Sequence, residues 1–141
     1  MSFVSLHDEY ADAAPTKFKH TDDLTKKKDG GVLKHIISTG YADAQPVPHQ
    51  EVTIEYIGRL EDGTIFDESK RDQPIRYEVG EGNFIKGWDI GIQAMKICEK
   101  AHIVIQPKYA FGERGNPALK VPPNAVLYIT TCLVMLGTKR N

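Results

Sequence analysis

The residues of this sequence best suited to form a binding site are large apolar side chains beside predicted loops, with one acid and one phenol among them. Asp67 directly follows Phe66 at the end of a predicted strand, and Tyr56 lies one strand away across a predicted hairpin. A carboxylate beside aromatic rings needs a hydrogen-bond donor, which the Tyr56 hydroxyl can supply. Further members of this apolar set are Phe84, Ile85, Trp88, Phe111 and Val121. These residues fit an apolar pocket with a few polar groups, but they also fit ordinary core packing, and the pattern alone leaves both interpretations open.

Motifs for other kinds of active site are incomplete or absent in the sequence. The spacing from Gly82 to Gly87 is like the start of a phosphate-binding loop, but Trp88 follows where that loop needs lysine. Cys98 and Cys132 lack C-x-x-C spacing and are predicted to be free thiols, with a disulfide between them as the alternative. The five histidines lack ligand spacing. We therefore predict no metal site and no cofactor.

Composition and charge restrict the partners that this protein is expected to have. The chain has 141 residues, which predicts one domain at roughly 150 residues per domain. Its 18 basic and 19 acidic residues give a net charge of −1, which argues against a nucleic-acid partner. No apolar run is long enough to span a membrane, and residues 1–10 do not resemble a signal peptide. We expect a cytoplasmic protein, with a nuclear location as the alternative raised by the lysine run at 26–28.

Alternation of apolar and polar residues predicts the elements that position the candidate residues. Tyr56 belongs to the strand Val52–Leu60, whose polar face, including Glu55 and Arg59, is expected to meet water. A turn at Gly63 leads to a return strand that begins over Thr64–Asp67. The other predicted strands are Val32–Ser38, Ile75–Val79, Ala101–Gln106 and Val126–Leu136.

One helix is predicted, over Phe84–Met95. Its side chains Trp88, Ile92 and Met95 form a single apolar stripe. The stripe needs an apolar surface, so the helix is expected to cover one face of the sheet. We divide the chain into three segments. The first is an N-terminal extension over 1–29, which is expected to be mobile or loosely docked. It precedes a domain over 30–138 and a tail over 139–141.

Four ordered stretches of the sequence resemble the FKBP-type peptidyl-prolyl isomerase family. They are YIGRLEDGTIFD at 56–67, FIKGWDIGIQAM at 84–95, YAFG at 109–112 and VPPNA at 121–125. The resemblance extends from about Gly30 to Gly137. It implies an α+β fold of the FKBP type, in which a twisted antiparallel β-sheet wraps around one short α-helix.

The same resemblance implies roles for individual residues. Trp88 resembles the indole floor under a proline ring, Asp67 matches the acid of the family pocket, and Arg71 matches a basic residue that supports this acid. The Ile85 backbone N–H would donate to a carbonyl of the substrate or ligand. The implied walls are Tyr56, Phe66, Ile85 and Val121. The implied catalytic residues are Tyr56, Phe66, Asp67, Ile85, Trp88 and Phe111. The implied substrate or ligand contacts are Arg71, Ile75, Phe84, Val121 and Ile129.

The activity implied by the resemblance is rotation about the bond that precedes proline. Such a pocket needs no nucleophile, metal or cofactor, because no covalent bond is broken. The implied partners are proline-containing peptides or protein clients and the macrolides rapamycin and tacrolimus, and the implied state is a monomer.

Departures from the family pattern leave two other hypotheses open. Phe111 stands where the family usually has tyrosine, and Ile129 stands in place of a phenylalanine. These changes favour, as an alternative, a weakly catalytic or non-catalytic module that binds a client protein. A third hypothesis is a chaperone-like partner of a larger assembly, docked through residues 1–29.

Overall fold

A seven-stranded antiparallel sheet forms the framework of the protein. The computed structural model describes residues 5–11, 13–19, 22–41, 43–82 and 84–139. The strands are β1 (Asp22–Asp23), β2 (Val32–Ser38), β3 (Gln50–Arg59), β4 (Ile65–Glu68), β5 (Ile75–Glu78), β6 (Lys100–Ile105) and β7 (Leu127–Lys139). Their order in the sheet is β1-β2-β6-β7-β3-β4, and β5 also pairs with β3.

Strand β3 is the strand around which the candidate site is built. One edge of β3 pairs with β7, while its other edge is shared by β5 near the start of β3 and by β4 near its end. The β3–β4 connection turns at Gly63, which has a positive φ of 91° and whose N–H donates to the Leu60 carbonyl. This confirms the predicted hairpin and brings Asp67 opposite Gly58, two residues beyond Tyr56.

The main helix, α2 (Lys86–Gln93), lies against the inner face of the sheet. Two glycines allow this close packing, because a Cβ on Gly87 would lie 2.4 Å from Ile105 Cγ2 and one on Gly91 would lie 2.7 Å from Ile103 Cδ1. The helix is shorter than predicted, since Ile85 has extended backbone angles and Ala94 ends the last turn. The predicted apolar stripe is confirmed: Trp88, Ile92 and Met95 are all buried.

The inner face of the sheet and helix α2 together enclose the apolar core. Its buried members include Val32, Val52, Ile54, Ile103, Ile105, Leu127 and Leu133. Helix α1 (Leu6–Glu9) is only one turn long. Within the described ranges, no helix has the length and apolar character needed to cross a membrane.

The outer face of the sheet is covered by the N-terminal segment, which corrects the prediction that this face of β3 meets water. Glu55 and Arg59 are 2% and 4% exposed. Leu6 N–H donates to Glu55 Oε2 at 3.4 Å, and the Arg59 guanidinium donates to the carbonyls of Tyr10 and Ala11 at 3.2 and 2.8 Å. The charged residues that the alternation places outside are therefore buried beneath the chain's own N-terminal residues.

This packing also bears on the expectation that residues 1–29 are mobile or loosely docked. Leu6 is buried with Ile57 and Cys132, and the Phe18 ring stacks on His102 with 3.8 Å between ring centroids. His7 Nε2 lies 3.3 Å from Glu68 Oε1, and an ion pair joins Asp8 to Arg71. The described residues of the segment therefore pack against this chain's own sheet, and the predicted looseness of residues 1–29 stays a prediction.

Candidate functional site

The β3–β4 hairpin places a hydrogen-bonded phenol and carboxylate at one side of the site. Tyr56 Oη donates to Asp67 Oδ2 at 3.0 Å, and Glu68 N–H donates to Asp67 Oδ1 at 2.9 Å. Burial and, after it, the negative charge of Asp67 raise the pKa of Tyr56 well above its usual range. The phenol therefore stays protonated as a donor, and both oxygens of the carboxylate have partners.

Helix α2 supplies the floor of the site. Trp88 is 4% exposed, and its ring meets the Tyr56 ring edge-on with 5.2 Å between centroids. Ile85 immediately precedes the helix, and its carbonyl accepts from the N–H groups of Trp88 and Asp89. The N–H of Ile85 has no acceptor among the described residues, so it remains a donor for a bound molecule.

Between the hairpin, the helix and the loop before β7 lies a cavity of about 400 Å³, within the range of ordinary small-molecule sites. Aromatic rings form much of the wall, with Phe66 and Phe111 edge-to-face at 6.5 Å and Phe84 against Tyr77 at 4.6 Å. Its lining residues are Tyr56, Gly58, Phe66, Asp67, Phe84, Ile85, Trp88, Phe111, Asn116, Leu119 and Ile129.

The structure brings eight of the predicted site residues together around this cavity. They are Tyr56, Phe66, Asp67, Phe84, Ile85, Trp88, Phe111 and Ile129. These residues come from β3, β4, the start of α2, the loop before β7 and β7 itself. The apolar set therefore forms a cavity wall, although Trp88 and Ile129 also belong to the core.

The other three predicted site residues lie outside the cavity lining. The Arg71 guanidinium forms an ion pair with Asp8 of the N-terminal segment instead of supporting Asp67. Ile75 lies opposite Ile54 in the β3–β5 pairing and packs on the core. Val121 is buried in the core, and its backbone pairs with Asn116.

Three lining residues are missing from the sequence prediction: Gly58, Asn116 and Leu119. A Cβ at Gly58 would lie 2.7 Å from the Phe66 ring, so this glycine makes room for the ring. The sequence does carry a signal for Gly58, because a glycine inside a strand with regular apolar–polar alternation often marks the close approach of another group. Asn116 and Leu119 reach the cavity because the Asn116–Val121 bridge folds their loop back, and local sequence carries no signal for that closure.

The described residues contain no group of three or more His, Cys, Asp or Glu side chains placed to hold a metal ion. Cys98 and Cys132 are both free thiols, as predicted. The chemistry available in the cavity is therefore that of an apolar enclosure with a phenol–carboxylate pair and main-chain donors.

Comparison with known proteins gives consistent matches. The family model for FKBP-type peptidyl-prolyl cis-trans isomerase matches residues 42–134. Human peptidyl-prolyl cis-trans isomerase FKBP4 is 42% identical over 118 residues, which cover 83% of this chain and 25% of that protein. Drosophila melanogaster Fkbp12, a peptidyl-prolyl cis-trans isomerase, is 39% identical over 98 residues, which cover 69% of this chain and 90% of that protein. The chain thus spans about a quarter of its FKBP4 relative and most of the Drosophila protein.

Solved structures agree with this assignment. The three FKBP domains of wheat FKBP73 match with a TM-score of 0.75 and 35% identity, over 84% of this chain and 48% of that one. A peptidyl-prolyl cis-trans isomerase from Pseudomonas syringae pv. tomato matches with a TM-score of 0.69 and 30% identity, over 78% and 77% of the two chains. With the antiparallel sheet, the single main helix and the aromatic cavity between them, these matches show that the chain belongs to the FKBP-type peptidyl-prolyl cis-trans isomerase family.

Proposed function

We propose that this protein is a peptidyl-prolyl cis-trans isomerase that accelerates rotation about X–Pro bonds in the cavity above Trp88. The observation that carries the proposal is the aromatic cavity beside the Tyr56–Asp67 pair, in a chain of this family. The substrate class is a proline-containing peptide segment, in a small peptide or in a protein client.

The barrier to this reaction comes from resonance in the peptide bond. That barrier is about 18–20 kcal/mol, and uncatalysed X–Pro exchange takes roughly tens to hundreds of seconds. The planar amide carries separated charge, which water stabilises, whereas the twisted amide has lost much of it. An apolar cavity that removes water from the amide therefore favours the twisted state relative to the planar one.

Particular groups of this chain suit the task. Trp88 offers a flat apolar surface for the proline ring, and Phe66 and Phe111 enclose it. The Ile85 N–H is available to hold a substrate carbonyl. Because Tyr56 and Asp67 bind each other, their polar atoms need little water inside the cavity.

Macrolide binding is part of this proposal. The same apolar walls and the Ile85 N–H suit a ligand that combines a bulky ring with carbonyl acceptors. One of the similar proteins, from Drosophila melanogaster, is named FK506-binding protein 59. We expect rapamycin and tacrolimus to compete with peptide substrates for the cavity.

A second candidate function is client binding without substantial catalysis. Two observations favour it: Phe111 and Ile129 present only apolar atoms to the cavity, and Arg71 is engaged by Asp8 at a distance from Asp67. On this hypothesis the cavity holds a proline-containing segment, but the rate of rotation changes little.

The test is an NMR exchange assay that uses an X–Pro peptide with wild-type protein and with Asp67→Val. Isomerase function predicts faster cis–trans exchange with the wild type, inhibition by tacrolimus or rapamycin, and a reduced rate with the variant. Macrolide binding without acceleration of exchange would select the second candidate. Neither binding nor acceleration would refute both candidates.

A further inference from the structure

The loop before β7 presents to the cavity an asparagine whose backbone is fully fixed. Asn116 N–H donates to the Val121 carbonyl at 2.9 Å, and Val121 N–H returns a bond of 2.9 Å to the Asn116 carbonyl. That carbonyl also accepts from Leu119 N–H at 3.1 Å. The side chain of Asn116 therefore projects from a rigid position at the cavity wall.

The hydrogen bond from Leu119 identifies which atom of the Asn116 carboxamide is left without a partner. Its Oδ1 accepts from Leu119 N–H at 3.2 Å. An NH2 group in that position would set a second donor 3.2 Å from the Leu119 N–H. The atom facing Leu119 is therefore the oxygen, and the Nδ2 group lies on the other branch. Within the described ranges Nδ2 has no acceptor, so two N–H donors remain unused.

The other polar side chains of the lining are already occupied or covered. Tyr56 donates to Asp67, and the Trp88 Nε1 atom is buried below the cavity surface. Among the described lining residues, Asn116 therefore carries the side-chain donor that is available to a ligand.

A peptide that enters an apolar cavity has to find donors for the carbonyls that lose water. A buried carbonyl left without a donor weakens the binding of the peptide. The Ile85 N–H can donate to one carbonyl of the peptide. The residues before and after the proline each bring a carbonyl, so a second donor is needed. A second donor in the wall relieves the cost for a second carbonyl.

We propose that Asn116 is a substrate-binding residue whose Nδ2 group donates to a main-chain carbonyl of the bound peptide. This inference rests on the proposed function of the cavity. Asn116 thus has two separable tasks, since Oδ1 shapes the loop and Nδ2 binds the peptide.

Two variants separate these tasks. Asn116→Ser keeps a neutral oxygen that can accept from Leu119 N–H, as serine does at helix starts, but it lacks the amide donor. Asn116→Ala removes both groups. Loss of one ligand hydrogen bond, about 1–1.4 kcal/mol, predicts a Kd and KM for an X–Pro peptide about 5- to 10-fold higher in Asn116→Ser, with kcat and thermal midpoint near wild type.

NMR provides a readout that does not depend on activity. The protein has one tryptophan, so the indole N–H signal of Trp88 reports occupation of the cavity. The side-chain amide signals of Asn116 are identified by their absence in Asn116→Ser. We expect these signals and the Trp88 signal to shift together during titration with the peptide.

The outcomes are distinct. A Trp88 signal that shifts while the Asn116 amide signals stay in place, with an unchanged Kd in Asn116→Ser, would overturn the inference and leave the proposed function standing. A wild-type Kd in Asn116→Ser with weaker binding and a lower thermal midpoint in Asn116→Ala would reduce Asn116 to a loop-shaping residue. If the Trp88 signal does not move in the wild type, the proposed function fails and this inference fails with it.

Discussion

At the scale of single residues, the site depends on polar groups that satisfy each other inside an apolar enclosure. The 3.0 Å bond from Tyr56 gives Asp67 Oδ2 a donor at a cavity wall that also contains Phe66 and Trp88. The main-chain bond from Glu68 occupies the other carboxylate oxygen. The polar atoms of this pair therefore need few water molecules, and an apolar surrounding favours a twisted amide.

Removal of the Tyr56 hydroxyl tests this dependence. In Tyr56→Phe the ring that shapes the cavity remains, but Asp67 Oδ2 loses its donor and has to recruit water. We expect kcat/KM for an X–Pro peptide to fall about 5- to 20-fold, and the free energy of unfolding to fall by about 1 kcal/mol. Exchange kinetics and urea unfolding measure the two effects.

Tyr109 offers a matched control for this prediction. Its hydroxyl donates to Asp29 Oδ2 at 2.8 Å, and it lies outside the cavity lining. Tyr109→Phe should therefore lower stability by a similar amount and leave kcat/KM unchanged. Equal losses of activity in the two variants would contradict a specific role for the Tyr56–Asp67 bond.

At the scale of elements, helix α2 supplies the cavity floor and packs very closely on the sheet. Gly87 and Gly91 face Ile105 and Ile103 at distances that leave no room for a Cβ in the present positions. Glycine lowers helix propensity, so contact with the sheet stabilises this helix more than its own sequence does.

The two glycines should differ in their tolerance of alanine. At Gly87 the added Cβ would meet Ile105 Cγ2 at 2.4 Å and the Tyr109 carbonyl at 3.0 Å, and backbone cannot easily move aside. We expect Gly87→Ala to destabilise by about 1–3 kcal/mol. At Gly91 the nearest atom is the end of the Ile103 side chain, so Gly91→Ala should be close to neutral. Urea unfolding measures the loss of stability in each variant. Equal losses in Gly87→Ala and Gly91→Ala would contradict this account of the packing.

The N-terminal segment is the second element whose packing leads to a prediction. His102 lies beneath it, stacked on Phe18, with both ring nitrogens buried and without a hydrogen-bond partner among the described residues. Burial, with smaller contributions from His35 and Arg59, lowers the pKa of His102 to about 4. The folded protein therefore holds this imidazole in its neutral form.

The sign of the pH effect follows from the two states of His102. An unfolded histidine has a pKa of about 6.5, so below that pH the unfolded chain binds a proton that the folded chain does not. Stability is expected to decrease as pH falls from about 6.5 toward 4. His102→Phe keeps a ring for Phe18 to stack on, and this variant should lose less stability over the same range. The same pH dependence in the variant and the wild type would exclude His102 as the source.

At the scale of the whole molecule, helix α2 covers the inner face of the sheet and the N-terminal segment covers the outer face. A local sequence pattern marks the helix, whereas the packing of the N-terminal segment depends on distant residues. Helix α2 and its apolar stripe were predictable because 3.6-residue periodicity marks them locally. The strand Val32–Ser38 also has the predicted bounds, since its β-branched residues lie between clear turn signals. The pattern of large apolar residues beside predicted loops identified seven of the eight cavity residues, and the family resemblance added Ile129 and favoured a cavity over plain core packing.

What local sequence did not predict depends on contacts between distant segments. Glu55 and Arg59 alternate as solvent-facing residues do, but Leu6 and Tyr10, nearly fifty residues away, cover them. Arg71 likewise forms an ion pair with Asp8, which belongs to the distant N-terminal segment. No periodicity within a strand or loop reports which remote segment will dock on it.

The central claim for the whole molecule is that the cavity above Trp88 catalyses X–Pro rotation, and one measurement tests it most directly. The cis–trans exchange rate of an X–Pro peptide is followed by NMR with substoichiometric protein, while the Trp88 indole signal is monitored at higher protein concentration. The account predicts an exchange rate that rises in proportion to protein concentration and returns to the uncatalysed value when a macrolide fills the cavity. An exchange rate that stays at the uncatalysed value while the Trp88 signal shows bound peptide would contradict it.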